Sequence, residues 1–294
     1  MDAGVPGSRE GTEEKSRRMT NYTLTVNADR APSFKMSLDR GFESERFVLD
    51  SMQHGQCYEG EVCVILAKAL REGDCAYDVG ANIGYFTLMM AALVGPSGRV
   101  KAFEPGENNI PRLRGNIALN QFDNIEVIEK PVWSHVTDLT FWLNHDNSGG
   151  NGCWDPGRWS ANVKSRAAPS SRIVQSTTLD RVFIKVPRVI KLDVEGAEYH
   201  VMVGAHGLLK HKPPFIIAEW NQFAFSQLET SGEELRSLLK QHSYDMFLID
   251  ASGAKPLRLK PTEALTLPEN VIINVLFSTQ EAVDEIWEKS DAQT

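Results

Sequence analysis

The chain has 294 residues, 41% of them hydrophobic and 24% charged, an ordinary globular composition with enough apolar residues for a sizeable core. Its net charge of −8, from 31 basic and 39 acidic side chains, argues against a non-specific nucleic-acid binder, which needs a basic face for phosphate. The four cysteines, Cys57, Cys63, Cys75 and Cys153, contain no CxxC pair and are too few for a disulfide framework, so they read as free thiols of a reducing compartment. The apolar window at Tyr85–Val94 is too short to span a membrane, and the polar stretch after Arg18 cannot be the apolar centre of an export signal. A cytoplasmic protein without membrane association is the expectation.

Residues 1–18 are polar, Gly-rich and charged, and read as a disordered tail. Residues 19–70 read as strands and a helix packing on the core. YTLTV and FKMSL alternate polar and apolar residues, and from 43 to 70 Phe47, Val48, Met52, Val62, Ile65, Leu66 and Leu70 recur at helical spacing. Residues 71–294 form the main domain. The strands CAYDV, RVKAFEP, IEVIEK, RVIKLDV, FIIAEW, DMFLID and VIINVLF alternate with the helical segments IGYFTLMMAALV, NIPRLRGNIALNQ, AEYHVMVGAHGLLK and GEELRSLLKQHS. This rhythm means βαβ units: an α/β, doubly wound, mostly parallel sheet, with the late strands supplying an antiparallel edge. One segment breaks it. Residues 146–173 form a Gly-rich insertion loop, whose Trp154 and Trp159 either pack against a substrate or pin the loop to the surface.

YDVGANIGYF at 77–86 joins a strand that ends in an acid to a helix, through Gly80 and Gly84. A phosphate-binding P-loop requires Lys after the last glycine, and none is present. A dinucleotide turn requires a middle glycine where this chain has Asn82. S-adenosylmethionine lacks a pyrophosphate and carries cationic groups, which suit the acid Asp78. Glu104, ending the next strand 20 residues after Gly84, is placed to accept the ribose hydroxyl protons of a nucleoside.

Together, DVGANIGYF, AFEP, TTLD (177–180), IKLDVEGAEYHVMVGA (190–205) and FIIAEW (215–220) resemble the FkbM-type methyltransferases, over roughly residues 40–280. The resemblance implies a Rossmann-like seven-stranded sheet of the class I S-adenosylmethionine-dependent enzymes, and methyl transfer to a hydroxyl of a small molecule, natural product or glycan. By position it assigns Asp78, Gly80, Asn82, Gly84 and Glu104 to the cofactor, with Ala81, Tyr85, Phe86 and Pro105 beside them. Asp193, Glu195 and Glu198 match the family's strand-four signature. Pro131-Val132-Trp133 and the long Gly-rich loop depart from the family pattern where adenine and acceptor belong, so the acceptor is not carried over.

A neutral hydroxyl acceptor must be aligned and must lose its proton, to a base or with the help of a metal. In RVIKLDV, Lys191 and Asp193 share a strand face; Glu219 ends the following strand, with Asn221 two residues on. Asp193, Glu219 and Lys191 are therefore the catalytic candidates. Asp193, Glu219 and Asn221 form a hard-donor set suited to Mg²⁺ or Ca²⁺, in a layout similar to that of catechol-type methyltransferases. His135, His145 and His200 lack ligand spacing, and only His145 borders the Gly-rich loop. The alternatives are a non-catalytic cofactor-binding or scaffold protein, an NAD-dependent oxidoreductase, and a nucleic-acid methyltransferase drawing on the locally basic segment 157–172. No nucleic-acid partner is expected, and the oligomeric state is left open.

Overall fold

The computed structural model describes residues 20–25, 33–268 and 270–291; the tail expected at 1–18 lies outside them. In chain order the strands are β1 (Thr20–Thr25), β2 (Ser33–Leu38), β3 (Cys75–Val79), β4 (Arg99–Phe103), β5 (Ile125–Ile128), β6 (Asp138–Leu143), β7 (Ser170–Gln175), β8 (Val189–Leu192), β9 (Phe215–Trp220), β10 (Asp245–Leu248), β11 (Leu257–Arg258) and β12 (Ile273–Ser278). The main sheet has the order β11-β10-β12-β9-β8-β3-β4-β5. It has eight strands where seven were expected, because the two-residue β11 adds itself to β10 as an antiparallel edge. β5, β4, β3, β8 and β9 run parallel, and β12 lies antiparallel between β9 and β10.

Alternation along the strands divides the core. Tyr77, Val79, Ile190 and Leu192 face one helical layer, with Val201, Leu208 and Leu235. Ala76 and Val189 face the other, with Leu49, Leu66, Leu88 and Ile286. On this second face the charged pair Asp78 and Lys191 stand side by side, in register on neighbouring strands. From β3 the chain builds outward through β4 to β5, then returns to place β8 and β9 on the other side. In open α/β sheets such a reversal places a ligand crevice at the strands' carboxyl ends.

Three features were not anticipated. The helical stretch 43–70 is two helices, Glu43–Gln53 and Gly60–Ala69, parted by left-handed residues at Gly55 and Glu59. The Gly-rich insertion is not a bare loop: β6 and β7 pair as an antiparallel ribbon, and its tip holds two short 3-10 turns and the helix Val163–Ala167. Helices Leu179–Val182, Gln222–Gln227 and Gln280–Asp291 were also not predicted. Among the described residues no helix is long and apolar enough to cross a membrane.

The N-terminal elements are tied to the domain by polar contacts as well as apolar ones. Asn116 accepts from Ser37 N at 2.8 Å, and Asn120 both accepts from and donates to the Lys35 backbone. Glu45, fully buried, pairs with Arg112 of helix Ile110–Ala118 and accepts from Asp39 N. Burial raises the Glu45 pKa, against the pull of its hydrogen bonds and of Arg112. Arg112→Met strands this carboxyl and should cost about 3 kcal/mol in denaturant unfolding; the Glu45→Met, Arg112→Met double variant should recover most of that loss.

The turns after β3 and β8 touch. Gly80 has φ +93°, and a Cβ on it would stand 1.7 Å from the Asp193 carbonyl oxygen. Gly80→Ala should therefore lower stability by on the order of 3 kcal/mol, measured by thermal or denaturant unfolding.

Candidate active site

The turn that leaves β3 is fastened to β4, since Gly80 N and Ala81 N both donate to Phe103 O, at 3.0 and 2.9 Å. Asn82 takes a left-handed φ of +49°, which aims its N–H at the Glu104 carboxylate, 2.8 Å away. The other Glu104 oxygen accepts from Gly106 N at 2.7 Å. Burial raises the Glu104 pKa to about 7, although these backbone hydrogen bonds oppose the rise. Gly80, Asn82, Glu104 and Pro105 line a cavity with roughly 1040 Å³ of non-protein space, including solvent at its mouth. Phe103, Pro131, Val132 and Phe141 give it an apolar wall. The Asn82 Oδ1 is closed off from solvent and has no hydrogen-bond partner.

The remaining cofactor candidates stand outside that wall. Asp78 is buried behind the turn, where it accepts the Thr87 hydroxyl proton at 2.5 Å. Gly84, at φ +99°, starts helix Tyr85–Val94. Tyr85 packs edge-on against Phe34, Tyr58 and Phe86. Phe86 lies under the Lys191 ammonium at 4.6 Å, and Ala81 is buried in the small cluster with Ala102 and Leu113.

The far end of the cavity is acidic. Asp193, Glu195 and Glu219 each offer a carboxylate oxygen, all within 4.8 Å of one another. Glu59, at φ +45°, adds a fourth carboxylate, steadied by Asn274 Nδ2 at 3.2 Å. Burial first, and then mutual repulsion, pushes the pKa values of Glu195 and Glu219 well up. Asp193 accepts from Lys191 Nζ at 2.8 Å, whereas Glu219 Oε2 is sealed from solvent and unpartnered. Asn221, expected beside Asp193 and Glu219 as a metal ligand, instead caps helix Gln222–Gln227 by accepting from Ala224 N at 3.1 Å. Glu195 takes its place in the cluster. Glu198 supports the turn: it accepts from Val194 N at 3.0 Å, and burial raises its pKa to about 8.

The insertion bears on the site through residues other than its tryptophans. Asn147, Gly149, Asn151, Gly152 and Cys153 line the cavity, whereas Trp154 and Trp159 do not. Both tryptophans flank Phe223, at 5.5 and 4.6 Å, and Trp154 Nε1 donates to Glu195 O at 2.7 Å, so they pin the ribbon's tip. The arginines of 157–172 are engaged internally: Arg166 donates to Gly157, Trp159 and Ser160 carbonyls, and Arg172 to Pro105 O and Glu107. His200 stacks on Trp133 at 3.9 Å, and His145 does not line the cavity.

The sequence reading missed Ser44, Phe47, Tyr58, Glu59 and Ile272, all of which line the cavity. A signal existed for one of them: the interruption of the helical spacing around Glu59-Gly60 marks a break, and breaks beside a sheet edge carry function. Glu195, matched by the sequence only to the family's strand-four signature, is a further member of the cluster.

Comparisons with solved structures return methyltransferases at low identity. The methyltransferase FkbM from Methylobacillus flagellatus KT shares 15% identity at a TM-score of 0.41; the match covers 69% of this chain and 43% of the length of that protein. A SAM-dependent O-methyltransferase from Thermotoga maritima shares 11% at 0.42, covering 79% of this chain and 71% of that one. The precorrin-6y C5,15-methyltransferase from Geobacter metallireducens GS-15 shares 12% at 0.42, covering 76% and 89%. The comparison with curated proteins gives no match. Family assignment rests instead on the domain match: residues 78–246, more than half of the chain, match the methyltransferase FkbM domain, and the protein belongs to that family.

Proposed function

We propose that the protein transfers a methyl group from S-adenosylmethionine to a hydroxyl oxygen of a small molecule, natural product or glycan. The observation that carries this reading is the meeting, in one cavity, of the Glu104–Asn82 pair with an unpartnered carboxylate at Glu219. The donor set fits a nucleoside: the Glu104 carboxylate is prepositioned by two backbone N–H groups, and the buried Asn82 Oδ1 lacks a donor. When bound, S-adenosylmethionine would supply an electrophilic methyl and leave as the neutral thioether. Gly80, Asn82, Glu104 and Pro105 would hold it, with Phe103, Pro131, Val132 and Phe141 excluding water from its apolar ring. In its ionised form Glu219, whose Oε2 has no hydrogen-bond partner, takes the hydroxyl proton as the oxygen forms its bond to carbon, and its raised pKa makes it the stronger base. Asp193, paired with Lys191, orients the acceptor.

A divalent ion on Asp193, Glu195 and Glu219 is the weaker reading, because the Lys191 ammonium already stands 2.8 Å from Asp193. An NAD-dependent oxidoreductase is disfavoured by the same carboxylates, which would repel a pyrophosphate. So is a nucleic-acid acceptor, whose phosphates would meet Glu59, Asp193, Glu195 and Glu219.

Calorimetric titration tests the assignment. S-adenosylmethionine and S-adenosylhomocysteine should both bind saturably, and NAD should not; failure of both ligands with folded protein would overturn it. Ribose hydroxyls need the ionised form of Glu104, so affinity should rise as the pH passes upward through about 7. Each pH unit below that midpoint should cost roughly tenfold in affinity. Glu104→Gln should bind more weakly, and its affinity should be flat across the same range. Glu219→Gln should keep cofactor affinity within a few-fold but lower kcat by about 10²–10⁴-fold once an acceptor is in hand.

A further inference from the structure

The cavity divides by the origin of its walls. The cofactor side comes from residues within the 78–246 domain match, whereas Ser44, Phe47, Tyr58, Glu59 and Ile272 come from flanking sequence. These flanking residues meet the cavity together with Glu219 and Asp193, beyond the glycine turn.

Two properties of that region define what it can hold. Phe47 and Ile272 are each 48% exposed, large apolar side chains turned to solvent at the mouth of one cavity, with Tyr58 between helices beside them. Such a rim suits an organic body rather than a hydrated ion. Charge is the second property. Glu59, Asp193, Glu195 and Glu219 face a single buried ammonium, Lys191, and Glu219 Oε2 is shut from water with no donor. One ammonium cannot satisfy so many carboxyls, and the mutual repulsion among them is what a second cation placed in the cluster would relieve. Among the described residues the wall carries one basic side chain, Lys130, which reaches Gln175 on the ribbon. An anionic acceptor therefore meets one lysine, beside Pro131 and Val132, against four carboxyl groups, whereas a protonated amine finds several carboxylate oxygens.

Glu59 also sits in strained backbone. Its left-handed φ of +45° is unfavourable for a residue with a side chain, and Asn274 holds the carboxylate in place from the antiparallel strand β12. The strain turns this carboxylate into the cavity at a helix break.

Resting on the methyltransferase reading, we infer that the acceptor is a hydroxylated amine with an apolar body. Its ammonium lies beside Glu59 and Glu195, its hydroxyl is left to Glu219, and its body lies against Phe47, Tyr58 and Ile272.

The test uses three probes that share one ring and differ in charge: tyramine, 4-ethylphenol and 4-hydroxyphenylacetate. Each is titrated into the full chain saturated with S-adenosylhomocysteine, with and without Mg²⁺. Tyramine should bind at least roughly tenfold more tightly than 4-ethylphenol, and 4-hydroxyphenylacetate most weakly. Glu59→Gln, which keeps the same backbone demand, should shrink the tyramine preference severalfold without changing S-adenosylhomocysteine affinity. Phe47→Ala should weaken tyramine and 4-ethylphenol alike. Equal binding of the three probes, binding of none, preference for the anion, or displacement of tyramine by submillimolar Mg²⁺ would each overturn the inference, the last by assigning the charge to a metal. Failure of S-adenosylhomocysteine itself to bind is a separate outcome, which removes the methyltransferase reading and the inference with it.

Discussion

The Lys191 ammonium is the charge around which the site is arranged. Its side chain is almost wholly buried on β8, where an unpaired cation would be very costly. Burial pulls its pKa down, but Asp193, Glu59 and Asp78 more than reverse this, and the net shift is upward. The lysine therefore stays charged, and three segments are held to it. Asp78 lies in register on β3, Asp193 directly follows β8, and Glu59 comes from the break between the two N-terminal helices. Phe86 covers the ammonium from the helix that the glycine turn begins. One cation thus links the glycine turn, the carboxylate cluster and the flanking sequence.

This arrangement explains why Asp78 is not in the cavity wall. A sequence places an acid before two glycines and invites the thought that it meets the ligand. In the folded chain the strand alternation sends Asp78 to the face that carries Lys191 and Thr87, behind the turn. Its effect on a ligand is indirect, through the position of the turn. The residue that reaches the ligand side is Asn82, and it does so because a left-handed φ turns its N–H toward Glu104. The position that excluded a dinucleotide turn is the one that organises the carboxylate.

The parallel sheet was legible because its strands are short, apolar runs separated by helical spacing, and both signals are local. Glu104, Asp193 and Glu219 were legible for a related reason: each lies within one residue of a strand's carboxyl end, and strand ends on one edge of a parallel sheet converge. Asn221 misled because a side chain near a strand end can also cap the next helix, and the sequence Asn221-Gln222-Phe223-Ala224 serves the cap. The β6–β7 ribbon was hidden by its polar alternation and by the Gly-rich tip between its arms. Glu59 and Ile272 are far from the motifs in sequence, so only tertiary packing brings them to the cavity.

The same distance has a functional consequence. A cofactor pocket must present one geometry to one ligand, and here it is built from strand ends and two touching turns, where Gly80 leaves no room for a side chain against Asp193 O. An acceptor pocket must vary among enzymes that share a cofactor, and the wall proposed for it here comes from a helix break, a helix start and the approach to an antiparallel strand. Exposed positions such as Phe47 and Ile272 can change without disturbing the sheet, because neither belongs to its core. Glu59 is the exception: its carboxylate is coupled to Lys191, so altering the charge at the acceptor end also alters the balance that keeps the central ammonium buried. On the proposed assignment, acceptor charge is therefore the property this scaffold can change least freely, and acceptor shape the one it can change most.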